Sequence, residues 1–508
     1  MALFSAEHLR SIDPAATRRP GASRPHAALL DRLTAEAARP AYSRVVVVGA
    51  VRGIEFGMLL LTGLALFHLH VVDDPGLWPV YYLTSVAISM LAIMVFQTLQ
   101  SYTVPTFRRP VRQLFRMSGG WLAIFLIAFA AMFFLKSQGA MSRVWIATWL
   151  VLGFLELVIE RMILARVVSA LARAGRLERR TVIVGGGEMA AGLLRDLAKA
   201  DPAEVRLLGV FDDRTDARSP DTVEGFPKLG NVDDLVEFAR ATRIDLAIFA
   251  LPISAEERIL TMLRKLWVLP IDVRLAAHAN RLRLRPRSYS YVGSAPMLDV
   301  FDKPLADWDV IIKLVFDKIV GTIALIALSP ILLATAIAIK LDSPGPVFFR
   351  QKRYGFNNEL VEIFKFRSMH ADKLDFDASK LVTRDDPRVT RIGRFIRKSS
   401  IDELPQLFNV VFKGNLSLVG PRPHAIHAKA ADRQYDEVVD GYFARHRVKP
   451  GITGWAQVHG WRGETDTQEK IQQRVDHDLY YIENWSILLD LYILAITPAA
   501  LFKTTNAF

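Results

Sequence analysis

Four runs of about 20 mainly apolar residues constrain the fold of this chain more than any other feature. They cover residues 51–72, 78–99, 114–135 and 144–164. Roughly 20 such residues are needed for a helix to cross a bilayer, although helices buried in a soluble four-helix bundle are also apolar. The chain of 508 residues is 51% hydrophobic, with a mean hydropathy of +0.22. We therefore predict a membrane domain of four transmembrane helices over 45–170, with Trp78, Trp121 and Trp145 at its interfaces.

Charged residues between these runs predict the orientation of the membrane domain. Asp73 and Asp74 follow the first run, whereas arginines follow the second and fourth runs. These arginines are Arg108, Arg109, Arg112, Arg116, Arg166, Arg173, Arg176, Arg179 and Arg180. Because Arg and Lys are enriched in cytoplasmic loops, both the N-terminus and the chain after residue 165 are predicted to be cytoplasmic. Residues 1–44 lack the apolar core of a signal peptide and are expected to form a loosely ordered leader.

The net charge of +12 points to anionic partners. Nucleic acid, anionic lipid and a phosphorylated substrate would each fit such a charge. Basic residues flank the apolar runs and no nucleic-acid-binding motif is evident, so we predict the last two and no nucleic acid. Cysteine is absent. This excludes disulfides and thiolate metal sites and agrees with a reducing compartment.

The middle of the chain, residues 178–300, alternates strand-like and helix-like segments. Such a βαβ pattern predicts a parallel, Rossmann-like sheet. Gly185, Gly187 and Ala190 follow the first strand and Asp212 closes the second, an arrangement similar to a dinucleotide-binding fingerprint. Glycines in this turn also serve close helix packing, so a structural or regulatory domain is the alternative. No tyrosine is followed by a lysine four residues later, which argues against a short-chain dehydrogenase or epimerase.

A second apolar segment, residues 310–340, carries Ser329 and Pro330 at its middle. Proline removes a helix hydrogen bond and bends a helix. If this segment crossed the membrane, everything after residue 341 would lie outside, away from nucleotide-activated substrates. We therefore predict a re-entrant helix with both ends cytoplasmic, and a fifth ordinary span is the alternative.

The segment 397–406, RKSSIDELPQ, places two adjacent carboxylates, Asp402 and Glu403, among cations. Ser400 and Glu403 have the spacing of a capping box, which predicts that both acids lie at a helix start beside free N–H groups. The same N–H groups attract phosphate. Capping boxes are common, so a charged helix cap without chemistry is the alternative.

Basic residues on either side of this segment predict a phosphate site. They are Arg350, Lys352, Arg353, Lys365, Arg367, Arg397 and Arg422. Cations beside a membrane helix suit a phosphate at the interface, and they also suit lipid headgroups. Gly451 and Thr453, in the turn 450–454, are further candidates for positioning phosphate. The histidines at 424, 427, 446 and 459 are interpreted as structural.

Residues 310–508 resemble the bacterial sugar transferase family, the polyprenyl-phosphate sugar-phosphate transferases. The resemblance rests on the apolar helix with its central Ser-Pro and on DSPGPVFFRQKRYG, KFRSM, RKSSIDELPQLFNVVFKGNLSLVGPRPH and KPGITGWAQVHG. Four preceding spans and a Rossmann-like domain are similar to the large form of the family. The implied fold is an α-helical membrane domain, an α/β Rossmann-like domain, and an α/β monotopic catalytic domain over 308–508 with a re-entrant membrane helix.

The resemblance implies transfer of a hexose 1-phosphate, glucose or galactose, from a UDP-sugar to undecaprenyl phosphate with release of UMP. Asp402 and Glu403 are implied as the catalytic dyad, Asp402 as the nucleophile, and Glu403 with Asp402 as the holder of Mg²⁺. Arg397 and Arg422 match arginines placed around phosphate, with Arg353, Lys365, Arg367, Gly451 and Thr453 as weaker candidates. Ser329 and Pro330 are implied as the break in the re-entrant helix.

The implied setting is the cytoplasmic face of the bacterial inner membrane, at the first step of exopolysaccharide, capsule or O-antigen synthesis. Membrane lipids and downstream glycosyltransferases are implied partners, and a homodimer is left open. Two other functions remain as alternatives. One is a membrane-anchored nucleotide-sugar epimerase or dehydratase, and the other is a non-catalytic scaffold of a polysaccharide assembly complex.

Overall fold

The computed structural model describes most of the chain and divides it after residue 178 into two compact units. The described residues are 41–70, 75–134, 142–198, 205–214, 220–252, 255–276, 290–292, 295–371, 386–423, 429–430, 433–434, 442–461 and 467–503. The predicted leader lies outside them up to residue 40. The first unit holds the predicted membrane domain, and the second holds the two α/β regions.

The first unit is a bundle of four long helices. They are α1 (Arg44–His70), α2 (Trp78–Thr98), α3 (Pro110–Phe134) and α4 (Arg143–Arg173), with short turns at Pro75–Leu77 and Val104–Phe107. Among the described residues, four helices are long and apolar enough to cross a membrane: α1, α2 and α3 of this unit, and Asp307–Asp342 of the second unit. Helix α4 falls outside this set because Glu156, Glu160 and Arg161 interrupt its apolar run. That α4 crosses the membrane therefore stays a prediction.

Two of the three tryptophans predicted at the interface form the core of the bundle. Trp121 and Trp145 are almost completely buried, whereas Trp78 is 41% exposed. The indole N–H of Trp145 donates to the carbonyl of Gly63 at 2.8 Å, and that of Trp121 to Leu150 at 2.9 Å. Because both ring nitrogens donate to carbonyls inside the bundle, these two indoles pack between helices, and their depth in a membrane stays a prediction.

A buried ion pair also joins the helices of this bundle. The Arg161 guanidinium lies 2.7 Å from Glu55 Oε2, and neither side chain is exposed. The hydroxyl of Tyr102 donates to the same oxygen at 2.9 Å. Charges inside a membrane bundle are costly unless they pair in this way, so this contact ties α1 to α4.

The second unit begins with the predicted parallel sheet, which is confirmed. Its strands are β1 (Arg179–Val184), β2 (Val205–Phe211), β3 (Thr222–Val223), β4 (Phe226–Gly230), β5 (Leu246–Phe249), β6 (Asp272–Ala276), β7 (Ser290–Val292) and β8 (Ala295–Phe301). They pair in the order β3-β4-β2-β1-β5-β6-β8-β7, and β4, β2, β1, β5 and β6 are parallel. Helices α5 (Glu188–Ala198), α6 (Val232–Ala241) and α7 (Glu256–Leu266) alternate with the strands. Apolar clusters cover both faces, as a doubly wound sheet requires.

The rest of the second unit is built on α8 (Asp307–Asp342). Its strands are β9 (Phe348–Tyr354), β10 (Leu360–Phe366), β11 (Ser417–Val419), β12 (Lys429–Ala430), β13 (Arg433–Gln434) and β14 (Gly451–Thr453). Its other helices are α9 (Arg391–Lys398), α10 (Gln468–Glu483) and α11 (Ile487–Lys503). Short helical turns occupy Phe356–Asn358, Ile401–Glu403, Gln406–Phe408, Asn409–Lys413, Tyr442–Arg447 and Trp455–Val458. Strands β9 and β10 form an antiparallel hairpin, and β11 pairs in parallel with β14.

Helix α8 has two different faces along its whole length. One face packs on the second unit and includes Phe316, Val320, Leu328, Leu332 and Ile339. The other face is exposed and includes Ile312, Val315, Ile319, Ile323, Ile326, Leu333, Ile337 and Leu341. The helix continues through Ser329 and Pro330 without ending there, and the Ser329 hydroxyl donates to the Ile326 carbonyl at 2.7 Å. A bend at this point stays a prediction.

Candidate active site

The two adjacent acids lie on a short turn whose position is fixed by the backbone before it. Thr390 caps the start of helix α9, and its hydroxyl accepts from the N–H of Gly393 at 2.9 Å. A Cβ at Gly393 would collide with the carbonyl of Ser368, so only glycine fits there. After α9, Ser400 adopts a left-handed conformation with φ of +59°, and Ile401–Glu403 forms a single 3₁₀ turn.

The predicted capping box is wrong. The Ser400 hydroxyl does not cap the turn, and the Ser400 N–H donates to the carbonyl of Arg397 at 3.1 Å. A left-handed residue reverses the chain direction at this point, which a capping box does not accommodate. The surroundings of the two acids are therefore set by cations from other elements.

Glu403 is held by two cations that come from different parts of the chain. Lys365 Nζ, on β10, lies 2.9 Å from Glu403 Oε1, and Arg422 Nη2, just after β11, lies 2.6 Å from the same oxygen. Arg422 Nη1 also donates to Oε2 at 3.3 Å. The side chain of Glu403 is 12% exposed, which strengthens these charged contacts. The glutamate thus fixes the positions of a lysine and an arginine beside Asp402.

Asp402 has neither a hydrogen bond nor an ion pair to any residue that the structure describes. Its side chain is half-buried. Burial, with the negative charge of Glu403 adding to it, raises the pKa of Asp402 to about 6, against the opposing charges of Lys365, Arg397 and Arg422. The carboxylate is therefore mostly ionised at neutral pH and free to bind or attack a substrate.

A small cavity beside Glu403 brings together several of the predicted residues, and Asp402 is not among those that line it. Its lining contains Arg353, Ile363, Lys365, Glu403, Gln406, Arg422, Pro423, Gly451 and Ile452. Of the predicted residues, Arg353, Lys365, Glu403, Arg422 and Gly451 are present. Sequence analysis missed Gln406, Ile363, Pro423 and Ile452. Three cations around one cavity favour an anionic ligand such as a phosphate.

Other predicted residues do not line this cavity. The Arg367 side chain is 1% exposed and donates to the carbonyls of Pro346 at 2.7 Å and Ser343 at 2.8 Å. It thereby ties β10 to the chain after α8, and its assignment as a phosphate ligand is corrected to a structural one. The hydroxyl of Thr453 pairs with that of Thr497 at 2.9 Å. Arg397 is half-buried, its guanidinium makes no hydrogen bond to a described residue, and its charge acts on Asp402.

The turn that carries Arg422 is held by buried charges that sequence analysis missed. Arg445 Nη2 donates to the backbone carbonyl of Arg422 at 2.9 Å and forms a buried ion pair with Asp478. At the other end of the turn, Lys313 Nζ and the Tyr481 hydroxyl each donate to the Val419 carbonyl at 3.0 Å. No local sequence motif predicts these contacts, because the residues that make them come from distant parts of the chain.

Backbone packing supports the same turn. Gly420 and Gly451 approach so closely that a Cβ on Gly451 would collide with the N–H of Gly420. The N–H of Gly420 donates to the carbonyl of Thr453 at 2.9 Å. Gly451 and Thr453 therefore position the turn through their backbones, and Gly451 also borders the cavity.

The histidines remain interpreted as structural where they are described. His446 is buried, and burial together with the charges of Arg445 and Arg240 lowers its pKa well below the ordinary value. His459 Nδ1 lies 2.9 Å from the carbonyl of Trp455. The histidines at 424 and 427 lie outside the described residues.

The glycine-rich turn of the Rossmann-like region has the predicted geometry. Gly185 and Gly187 have φ of +106° and +82°, and Asp212 lies at the end of the neighbouring strand. The buried Asp212 carboxylate forms an ion pair with Arg214 at 2.9 Å, and Arg214 Nη2 donates to the carbonyl of Gly186 at 2.8 Å. An arginine therefore already engages the acid that would bind a ribose. Nucleotide binding at Gly185, Gly187 and Asp212 stays a prediction.

Comparison with known proteins identifies similar chains. Residues 308–504 match the family model described as bacterial sugar transferase, and residues 97–277 match one described as CoA-binding domain. An undecaprenyl-phosphate glucose phosphotransferase of Komagataeibacter xylinus is 40% identical over 361 residues, which are 71% of this chain and 66% of the relative. A UDP-glucose:undecaprenyl-phosphate glucose-1-phosphate transferase of Xanthomonas campestris pv. campestris is 33% identical over 430 residues, 84% of this chain and 88% of the relative. The exopolysaccharide production protein PSS of Rhizobium leguminosarum bv. phaseoli is 46% identical over 186 residues, 37% of this chain and 92% of the relative.

Proposed function

Because this chain belongs to the bacterial sugar transferase family, we propose that it transfers a hexose 1-phosphate from a UDP-sugar to undecaprenyl phosphate and releases UMP. The observation that carries this proposal is the carboxylate of Asp402, which has no partner among the described residues and stands beside a glutamate clamped by two cations. Two relatives whose names specify glucose support UDP-glucose as the donor. The lipid-linked product is a substrate for downstream glycosyltransferases that build a polysaccharide.

The proposed reaction has two displacement steps at one phosphorus atom. An Asp402 carboxylate oxygen attacks the sugar-side phosphorus of the UDP-sugar, the bond from that phosphorus to the bridging oxygen breaks, and the oxygen leaves with UMP. An oxygen of undecaprenyl phosphate then attacks the aspartyl phosphosugar, and the bond to Asp402 breaks. The carboxylate is regenerated, and no net proton is needed. Both substrates are anions and meet at a carboxylate. The site must therefore supply positive charge, because neutral hydrogen-bond donors alone would not offset their repulsion.

The cations of the cavity would reduce the repulsion between these anions. Arg353, Lys365 and Arg422 border the cavity, and the charge of Arg397 acts on Asp402. Fixed charges that face a phosphoryl group stabilise the charge of its transition state. Glu403 keeps Lys365 and Arg422 at fixed positions while Asp402 reacts.

Mg²⁺ is part of the proposal, with Asp402 and Glu403 as its protein ligands. Proteins commonly hold Mg²⁺ by one or two carboxylates together with water and substrate phosphates, and the ion would offset the charge of the diphosphate. Asp402 fits this role because its oxygens are not engaged by described residues. Glu403 fits less well, since Lys365 and Arg422 already engage it. The described residues contain no group of three or more side chains of the metal-binding types.

The protein is a membrane protein, and the proposal places its active site on the cytoplasmic face of the bacterial inner membrane. It includes a re-entrant α8 that enters and leaves on that face. The two faces of α8 support this, because the second unit packs on it both before and after Pro330. A helix crossing the bilayer would carry one of these packed surfaces to the far side.

Cysteine labelling tests this topology, since the chain has no cysteine of its own. Lys352 is exposed after α8, and Gly76 lies in the loop between α1 and α2. In Lys352→Cys, an impermeant maleimide should react only after the cytoplasmic side is opened, whereas Gly76→Cys should react from the periplasm. Labelling of Lys352→Cys from the periplasm would contradict the re-entrant helix and favour a fifth span.

The reaction is tested by UMP release from the full chain in nanodiscs with Mg²⁺, undecaprenyl phosphate and a panel of UDP-sugars. We expect lipid-dependent release from one donor, and none from Asp402→Asn. Conversion of the UDP-sugar without UMP release would favour the epimerase or dehydratase, and neither conversion nor release would favour the scaffold. Light scattering of the same preparation determines whether the protein is a homodimer.

A further inference from the structure

Two buried amide side chains follow the dyad within one helical stretch, and they differ in their hydrogen bonds. Asn409 is fully buried, and its Nδ2 donates to the carbonyl of Glu362 at 2.7 Å and to Asn415 Oδ1 at 3.1 Å. Its Oδ1 accepts from the N–H of Phe364 at 2.9 Å. The amide of Asn409 therefore fastens this stretch to the β9–β10 hairpin and has a structural role.

Gln406 differs from Asn409 in its hydrogen bonding. Its side chain is 3% exposed and lines the cavity beside Glu403. Within the part of the chain that the structure describes, this side chain makes no hydrogen bond. A glutamine amide carries two donor hydrogens and an acceptor oxygen, and the position of Gln406 in the cavity lining makes it available to a group inside the cavity. We therefore expect a group that enters the cavity to satisfy it.

The composition of the cavity indicates what kind of group this is. Arg353, Lys365 and Arg422 offer only donors and positive charge, which suit phosphate oxygens. Gln406 is uncharged and offers a donor and an acceptor together, which suits a hydroxyl group that can itself donate and accept. In the proposed reaction the transferred sugar is joined through its anomeric oxygen to the phosphorus that Asp402 attacks. A hydroxyl of that sugar therefore comes close to the turn that follows the dyad.

We propose that the amide of Gln406 binds a hydroxyl of the transferred sugar and so contributes to donor selection. This inference rests on the proposed function. A site built to hydrogen-bond a hydroxyl discriminates strongly against an analogue that lacks it, because its buried polar group is then left unpaired. Gln406 should therefore affect recognition of the sugar and leave recognition of UMP unchanged.

The test compares wild type with Gln406→Met, which keeps the length of the side chain and removes its polar atoms. Full-length protein in nanodiscs is assayed with UDP-glucose and with its 2-, 3-, 4- and 6-deoxy analogues, and UMP is measured as a product inhibitor. Wild type should use one deoxy analogue at least tenfold less well than UDP-glucose. In Gln406→Met this discrimination should fall to within about twofold, with KM for UDP-glucose raised about tenfold and inhibition by UMP unchanged.

A second variant and a stability measurement keep the outcomes distinct. Gln406→Glu retains acceptors but loses the donors and should also lose the discrimination. Asn409→Leu, the matched control, should lower the unfolding temperature, whereas Gln406→Met should not, because no described hydrogen bond is lost. Unchanged discrimination in Gln406→Met, or equal weakening of UMP and UDP-glucose, would overturn the inference. Absence of turnover in wild type would instead overturn the proposed function on which it rests.

Discussion

Each unit of this molecule contains a glutamate paired with an arginine, and the two pairs have different roles. In the first unit, Glu55 forms an ion pair with Arg161 at 2.7 Å and accepts a hydrogen bond from the Tyr102 hydroxyl at 2.9 Å. The ion pair is completely buried. In the second unit, Glu403 forms an ion pair with Arg422 at 2.6 Å beside a cavity. The side chain of the neighbouring Asp402 has no partner among the described residues. The first arrangement neutralises a charge inside an apolar bundle. The second positions cations around a carboxylate that can react.

An ion pair by itself therefore does not mark a functional site. A buried pair broken by removal of one partner leaves an uncompensated charge, so its loss appears as instability. A carboxylate without a partner contributes no such contact, and its loss should appear as loss of activity. Stability and activity measurements should therefore separate the two regions cleanly.

Removal of the charge of Asp402 should have the largest effect. Asp402→Asn keeps the shape of the side chain and should lower UMP release at least about a thousandfold, because the amide is not a nucleophile. The unfolding temperature should stay unchanged, since no described contact is lost. A labelled phosphosugar should be trapped on wild type and not on the variant. Activity within tenfold of wild type would show that Asp402 is not the nucleophile.

Removal of Arg161 should have the next largest effect, on stability. Arg161→Met leaves Glu55 unpaired inside the bundle and should lower the free energy of unfolding by about 3 kcal/mol. Denaturant unfolding of the detergent-solubilised protein measures this. The double variant Glu55→Met/Arg161→Met should recover part of the loss, because Glu55 no longer lies unpaired, whereas Glu160 still lacks its contact with Arg161. A change below about 1 kcal/mol in the single variant would contradict a buried, structural pair.

Replacement of Arg422 by lysine should have a smaller effect on activity. Lysine keeps the charge but cannot make the two-pronged contact with Glu403, so the position of the remaining cation becomes less fixed. We expect kcat/KM to fall about ten- to a hundredfold, with the unfolding temperature nearly unchanged. Lys365→Arg, which retains the charge of the other cation at Glu403, provides the comparison. Wild-type activity in Arg422→Lys would mean that the forked geometry is unimportant.

The pH dependence should be the smallest of these effects. Asp402 must be ionised to attack, and its pKa is raised to about 6. The rate should therefore rise with pH up to about 6 and then level off, so that at pH 5 it is about tenfold below its plateau. In Glu403→Gln the inflection should move to lower pH, because the charge of Glu403 helps to raise the pKa of Asp402. An inflection unmoved by this change would assign it to another group.

Sequence analysis predicted the dyad because its two acids are adjacent and surrounded by arginines within a short stretch. The parallel sheet was also predictable, since the repeat of strand and helix is a local pattern. Arg367 was misassigned because a cation in a strand looks the same whether it faces a phosphate or a buried carbonyl. Only the fold shows that Ser343 and Pro346 lie beside it.

Other parts of the site could not be predicted for the same physical reason. Gln406 and Asn409 are both amides in one helical stretch, and only tertiary contacts distinguish the bonded amide from the one that faces a cavity. The pairing of Arg445 with Asp478 joins residues 33 positions apart. The capping box failed because the backbone of Ser400 is left-handed, which side-chain spacing does not encode.

The exposed isoleucine-rich face of α8 has a consequence for how such a protein can be assembled from parts. This face extends from Ile312 to Leu341, within the second unit itself. An apolar face of that length binds to a lipid surface without help from other helices. A shortened protein that begins just before residue 303 should therefore sediment with membranes and need detergent for purification. Evolution could add or discard the first unit and the Rossmann-like region without detaching the active site from the lipid that it uses.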